Sequence, residues 1–415
     1  MEITDRAREL IWEAERGLSD VFRRIDAVEA VVQMRVLEAF QRHRVAGRHF
    51  APSTGYGYDD IGRDTLDLLF ADAFEAEAAL VRPQIVNGTQ AIYLALSGVV
   101  EPGDHILSIT GRPYDTLEQA IGIRGDAPHS LKSIGVSFDH VDLQADGELD
   151  MPAIRKAIRE GRTPRVLFVQ RSRGYSWRPS LHPRRMQEAF SALRDVAPGA
   201  VIVVDNCYGE FTCPQEPTSV GADVAAGSLI KNPGGGLAPT GGYIVGRAEL
   251  IERVAQRLTL PGMGREVGSY AGDYRPFYQG LFMAPHTVAQ CMKSAALFAR
   301  ALELLGLETL PGSAAERSDI IQSVRFADAD ALVRFCQSIQ RAAPVDSFVD
   351  PQPWDMPGYA HQVVMAAGTF VQGATTELSA DGPICPPYTA YLQGSLTYAH
   401  GRIAAMLTVD ALLRA

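Results

Sequence analysis

The sequence predicts an α/β fold: a mainly parallel central sheet with helices on both faces, plus a smaller C-terminal α+β domain. Three observations carry this. Between about residues 80 and 250, short apolar runs alternate with helically patterned segments, as strands joined by crossover helices require. The 415 residues exceed one ordinary hydrophobic core. Beyond Leu260 the alternation loosens, and strand-like and helical runs follow in a different order. The expected divisions are an N-terminal helical arm with a contact loop at 1–64, a large domain at 65–285 and a small domain at 286–415.

Taken in order, the first 46 residues place Leu10, Ile11, Ala14, Leu18, Phe22 and Ile25, then Val28, Val31, Val32, Val36 and Phe40, at helical spacing. Two helices are expected there. The run from Thr54 to Arg63, with Gly55, Tyr56, Gly57, Tyr58 and Gly62, is too rich in Gly and Tyr for a helix and reads as a contact loop. A helical stretch continues to about Ala76. Strands are expected at 106–109, 134–138, 166–169, 201–204 and 243–245, with helices at 88–99, 117–121, 151–160 and 183–195. The Tyr-rich run of Tyr270, Tyr274, Phe277 and Tyr278 reads as a looser segment. A helix from about 286 to 305, strands near 320–326 and 361–366, and a last helix from about His400 complete the small domain.

Composition narrows the partners. A net charge of −10 disfavours nucleic acid and offers no basic membrane-binding surface. The five cysteines, Cys207, Cys213, Cys291, Cys336 and Cys385, are scattered without CxxC spacing, so reduced thiols in a cytoplasmic protein are expected. No apolar stretch reaches the length of a membrane span. The nine His residues are dispersed without HExxH or paired spacing, and no metal site is expected.

The chemistry gathers at strand ends. Lys231 lies in Gly227-Ser228-Leu229-Ile230-Lys231-Asn232-Pro233-Gly234-Gly235-Gly236, downstream of an apolar run that closes on Asp205. An amine in a dry loop and a carboxylate at a strand end are the two charges that a pyridoxal phosphate enzyme needs, one for the aldehyde and one for the ring nitrogen. Desolvation is expected to lower the amine's pKa, and the glycines to let a flat ligand approach. A surface lysine and a strand-end aspartate are also common in any α/β protein. Val86-Asn87-Gly88-Thr89 ends an apolar run and opens a helix, so the amides of Gly88 and Thr89 suit a phosphate, although Asn and Thr are ordinary helix caps as well. Ser228 adds a hydroxyl to the lysine's own loop.

Several segments in order, Val204-Asp205-Asn206-Cys207-Tyr208, Gln170-Arg171-Ser172-Arg173-Gly174-Tyr175, the lysine loop above, and Glu377-Leu378-Ser379-Ala380-Asp381-Gly382-Pro383, resemble the bacterial methionine gamma-lyase and cystathionine beta-lyase-like proteins called aluminium resistance proteins. The resemblance spans nearly the whole chain. It implies the aspartate aminotransferase type of fold, fold type I, with 65–285 as the cofactor-binding domain and an active site shared in a homodimer or homotetramer. It implies pyridoxal 5'-phosphate on Lys231, with Asp205 at the ring nitrogen and Gly88, Thr89 and Ser228 at the phosphate. Tyr114 corresponds to an aromatic that stacks on the ring. Tyr56 or Tyr58, with Arg63, is similar to the pair that reaches the phosphate from the neighbouring subunit, and Tyr58 or Tyr114 could serve Lys231 as an acid.

Two departures stand out. Ile230 replaces the hydroxyl residue usual just before the lysine. The Arg that grips the substrate carboxylate has no clear counterpart; Arg173, Arg178 and Arg402 are candidates, each equally readable as a structural ion pair. The expected activity is removal of a β- or γ-substituent, a thiol above all, from an amino acid. Alternatives are an aminotransferase or synthase of the same fold and, in another class, a non-catalytic cofactor-binding or regulatory protein. A binder has no use for the proton-transferring amine of Lys231. Cys207 beside Asp205 has no nearby His base and reads as packing under the cofactor rather than as a nucleophile.

Overall fold

The computed structural model describes residues 3–356 and 361–414. Two helices, α1 (Asp5–Arg16) and α2 (Ser19–Arg42), open the chain. Of the predicted stripe, Leu10, Ile11, Ala14, Leu18, Ile25, Val32 and Val36 are buried and Phe22, Val28 and Phe40 half-buried, while Val31 is exposed and Val21 is buried instead. After the Gly/Tyr loop comes α3 (Ile61–Ala73), capped by Asp60, whose carboxylate accepts from the Arg63 N–H at 2.9 Å.

The next units are β1 (Ala78–Arg82), α4 (Gly88–Ser97), β2 (His105–Ser108), α5 (Asp115–Ile121), β3 (Ser137–His140), α6 (Met151–Glu160), β4 (Val166–Gln170), α7 (Pro183–Val196), β5 (Val201–Asp205), β6 (Val224–Ser228), β7 (Gly242–Gly246) and α8 (Ala248–Leu258). Their strands form one seven-stranded sheet in the order β1-β7-β6-β5-β4-β2-β3. The run from β6 to β3 is parallel, while β7 lies antiparallel to both β6 and β1. The sheet is therefore mixed, with one reversed strand. The central strands β4, β5 and β6 are buried along their whole length, which accounts for apolar runs without alternation.

Two of these strands escape the sequence pattern. β6 reads Val-Ala-Ala-Gly-Ser, with one β-branched residue, and is a strand because it is buried between β5 and β7. β1, Ala-Ala-Leu-Val-Arg, follows closely on α3 and merges with its apolar pattern. The long helix α9 (Arg275–Leu304) begins at Arg275 rather than near His286 and contains Pro285. Tyr274, Phe277, Tyr278 and Leu281 are all buried, at helical spacing, so from Tyr274 onward the Tyr-rich segment is one helix face, while Tyr270 stays in the connection before it.

The second sheet holds β8 (Thr309–Leu310), β9 (Ile321–Arg325), β10 (Val363–Ala366), β11 (Ser379–Pro383) and β12 (Thr389–Gln393), antiparallel throughout, in the order β10-β11-β12-β9-β8. Helix α10 (Ala329–Ala342) packs on it, α11 (Tyr398–Leu413) packs on α10 and α9, and α1 and α2 lie against α9. One face of this sheet meets the loop that follows β4. The Tyr391 ring lies 5.0 Å from that of Tyr175, and the Arg325 guanidinium stacks 4.0 Å over Trp177. No helix among the described residues is long and apolar enough to cross a membrane.

Candidate active site

Three element ends converge beside that loop. β5 ends in Asp205, β6 ends in Ser228, and α4 begins at Gly88. Contact between them is close: a Cβ on Gly88 would stand 3.2 Å from Ser228 Cβ and 3.4 Å from Cys207 Sγ. Glycine there favours close approach rather than a special φ. Asn87 caps α4 by accepting from the Gln90 N–H at 2.8 Å, which leaves the first amides of the helix directed outward. Ser228 Oγ is buried and has no hydrogen-bond partner among the described residues. Next to it, the Tyr114 hydroxyl donates to Thr89 Oγ1 at 3.0 Å.

Lys231 follows directly in the turn after β6. Its Nζ lies over the Tyr208 ring, 3.9 Å from the centroid. Burial pulls the amine's pKa down, but Tyr208, Cys207 and Glu210 raise it by more, so the free amine lies above the ordinary lysine value. For the free lysine, the desolvation expected from the sequence is outweighed by these neighbours. The glycines also differ from expectation. Gly235 and Gly236 do have positive φ, at 56° and 76°, but they seat the loop on neighbouring chain. A Cβ on Gly235 would fall 2.3 Å from the Gly280 carbonyl of α9, and one on Gly280 would fall 2.4 Å from the Gly234 carbonyl.

Asp205 is buried and accepts from the Cys207 N–H at 3.1 Å. Burial pushes its carboxyl up to about 6, opposed by the Cys207 bonds and by Lys231. Burial, then Asp205, raises the Cys207 thiol well above the usual range, which fits a packing residue and not a nucleophile. Tyr208 is a site residue that the sequence did not single out. It takes a left-handed φ of 70° three positions after Asp205, a conformation that turns the chain back under the lysine.

A model of the methionine gamma-lyase family matches residues 7–413. The chain belongs to the methionine gamma-lyase family. Within it, the chain is 50% identical to the uncharacterized protein YnbB of Bacillus subtilis, over 97% of this chain and 95% of that one. It is also similar to the crystal structure of a carbon-sulfur lyase involved in aluminum resistance from Clostridium novyi NT, with TM-score 0.95, 45% identity and coverage of 99% and 96%. The fold extends to the pyridoxal-5'-phosphate dependent protein YhfS of Escherichia coli, with TM-score 0.63 and 18% identity over 94% of this chain and 97% of that one. Membership of the family implies pyridoxal phosphate, and the pocket fits it. An orphaned hydroxyl and helix-terminal amides suit its phosphate, a buried carboxylate its ring nitrogen and an amine its aldehyde.

All three arginines weighed for the substrate carboxylate have partners within the chain. Arg173 is buried and makes two bonds of 3.2 Å to Asp319, with a third to the Leu310 carbonyl at 2.7 Å. Arg178 donates to the carbonyls of Gln170, Ser172 and Pro179, and burial with the adjacent Arg173 lowers it to about 10. Arg402 on α11 bonds Glu15 of α1 at 2.8 Å, on a different part of the molecule. Arg63 is buried and holds the Gly57 carbonyl and Asp64, both at 2.8 Å. Tyr56 and Tyr58 are exposed, their rings 5.6 Å apart on a loop pinned to Ser269.

Proposed function

We propose that the chain is a pyridoxal phosphate-dependent carbon–sulfur lyase that removes a sulfur substituent from the β or γ carbon of an amino acid. The observation that carries this is the convergence of Lys231, Asp205, the unpartnered Ser228 hydroxyl and the α4 N-terminus in one pocket of a methionine gamma-lyase family member. When bound, the cofactor supplies an aldehyde for an amine and a ring that accepts electrons from the substrate's Cα. Gly88, Thr89 and Ser228 hold the phosphate, and Asp205 holds the proton on the ring nitrogen. The Lys231 amine anchors the cofactor and, once released, takes the proton from Cα. Tyr208, whose hydroxyl burial keeps protonated, presents its ring face to that amine and orients it. Tyr114 is likewise kept protonated by burial, with Asp205 adding to the effect, and fixes Thr89. The exposed Tyr56–Tyr58 pair extends to the pocket of a second copy.

The test is reconstitution of purified protein with pyridoxal phosphate, borohydride reduction, and mapping of the modified residue, followed by assays of thiol, keto acid and ammonia from single amino-acid thioethers. Label on Lys231 with thiol and ammonia in equal amounts is the expected result. An unlabelled Lys231 would end the proposal, and keto acid without ammonia would replace elimination by transamination.

A further inference from the structure

One side chain, Asn232, joins the turn that carries Lys231 to the turn that carries Tyr208. It follows the lysine directly and is fully buried, and its Nδ2 donates to the Tyr208 carbonyl at 3.1 Å and to the Glu210 carbonyl at 2.9 Å. Both N–H groups of the amide are thus engaged by main chain of the other turn, which fixes the nitrogen end of the side chain. The turn so held is a strained one. Tyr208 has a φ of 70° and Phe211 a φ of 61°, left-handed values that a bulky aromatic residue keeps only where its surroundings hold it. The Tyr208 carbonyl is held from a second side by the Ile320 N–H at 3.2 Å. With the turn in this shape, the Tyr208 ring lies under the Lys231 amine, 3.9 Å from Nζ to the centroid. Asn232 Oδ1, by contrast, is buried with no hydrogen-bond partner among the described residues. The amide therefore carries a penalty at its oxygen end, and what its nitrogen end secures is the shape of the Tyr208 turn.

We infer that Asn232 is a positioning residue for Lys231, whose two N–H bonds lock the left-handed Tyr208 turn and so hold an aromatic face beneath the amine. That this amine is the one that takes the cofactor rests on the function proposed above. A lysine amine stands on a flexible four-carbon stem, and an aromatic face that attracts its charged form narrows the positions it occupies. Without the clamp, Tyr208 relaxes to a negative φ, and a change of that size at its Cα carries the ring from under the amine. The stem then regains its freedom, and each step that needs the amine in one place slows.

The position of the ring can be read without cofactor. The chain has four lysines, Lys132, Lys156, Lys231 and Lys293, so isotope-labelled reductive methylation of the cofactor-free protein gives few signals, and the one missing from Lys231→Ala belongs to Lys231. Lys231 is half-buried and within reach of formaldehyde. Methyl groups above an aromatic face resonate upfield, so those on Lys231 should be displaced in the wild type and lose the displacement in Tyr208→Leu. Asn232→Asp, which keeps the shape of the side chain but puts an oxygen in place of the two donors, should lose it as well, and Asn232→Gln, which keeps the donors, should retain part of it. Asn232→Ala, which lets water reach the two carbonyls, is the variant to use if a buried Asp prevents folding. A Lys231 signal that stays upfield in a folded Asn232→Asp or Asn232→Ala protein would overturn the assignment. On the same proteins, the rate constant for capture of pyridoxal phosphate at Lys231, followed by the absorbance of the bound cofactor, should fall by about tenfold in Asn232→Asp, the scale of the hydrogen bonds lost. In the Tyr208→Leu background the same substitution should change it by less than about twofold, because the clamp acts through the ring. Equal falls in the two backgrounds also overturn it. Loss of the upfield displacement in Asn232→Asp, together with a wild type that captures no cofactor at Lys231, supports the clamp and overturns the lyase function instead.

Discussion

Around Lys231, Ser228 Oγ, Glu210 Oε2, Asn232 Oδ1 and Asp381 Oδ1 are buried without hydrogen-bond partners among the described residues. In the arginine-rich framework beside them, Arg173 makes three bonds, Arg178 caps three carbonyls, and Arg171 is held by Asn206 at 2.7 Å with Glu216 at 3.8 Å. Both regions are buried and polar. Arg171, Arg173 and Arg178 find their partners within the chain while the four oxygens around Lys231 do not, and that leaves those oxygens with capacity for a ligand.

Substitutions on the two sides should therefore fail in different ways. Lys231→Ala should lower thiol release by about 10⁴-fold, since the residue is both anchor and base, while the unfolding transition stays in place. Steady-state thiol assays and denaturant melts on the same preparation read both. Arg173→Ala takes from the buried Asp319 its paired guanidinium, and should cost about 3 kcal/mol of stability in urea unfolding while the folded fraction keeps its cofactor affinity. Ser228→Ala should do the reverse, weakening cofactor binding by about tenfold in a fluorescence titration with stability unchanged or raised by up to about 1 kcal/mol. A drop in stability there would dissolve the contrast.

The smallest effect concerns pH. Burial pushes the Glu210 carboxyl up to about 8, so the folded protein retains a proton that the unfolded chain has already released. The associated stability is full below the ordinary glutamate range and is lost as the pH rises to about 8. Glu210→Gln should flatten that part of the stability–pH curve, with wild type and variant separating most between pH 5 and pH 9.

What the sequence made legible follows from where information is local. Asp205 closes an apolar run and Gly88 opens an apolar helix, so each is visible in a few residues, while Ser228 and Lys231 are visible as neighbours in one Gly-rich loop. β6 was not, because Val-Ala-Ala-Gly-Ser is a strand only through its buried neighbours. Nor was the start of α9, where aromatic content masked a helical spacing. Tyr208 depends on a left-handed φ and Asp381 on the register of β11 with β12, and neither is written in the residues nearby. Among the arginines, residue type permitted either a ligand or an ion pair, and the choice lay with distant partners such as Asp319 and Glu15.

The meeting of the lysine loop with α9 has a mechanical side. Gly234, Gly235 and Gly280 bring main chain onto main chain, with no side chain between them to rotate or compress. The same helix also packs against β9 and β12 of the second sheet. Any tilt of that sheet which carries α9 must move the Lys231 backbone with it or open the glycine seam. The amine is thus geared to the second sheet, and a larger residue at Gly235 or Gly280 would wedge the seam apart and uncouple the two.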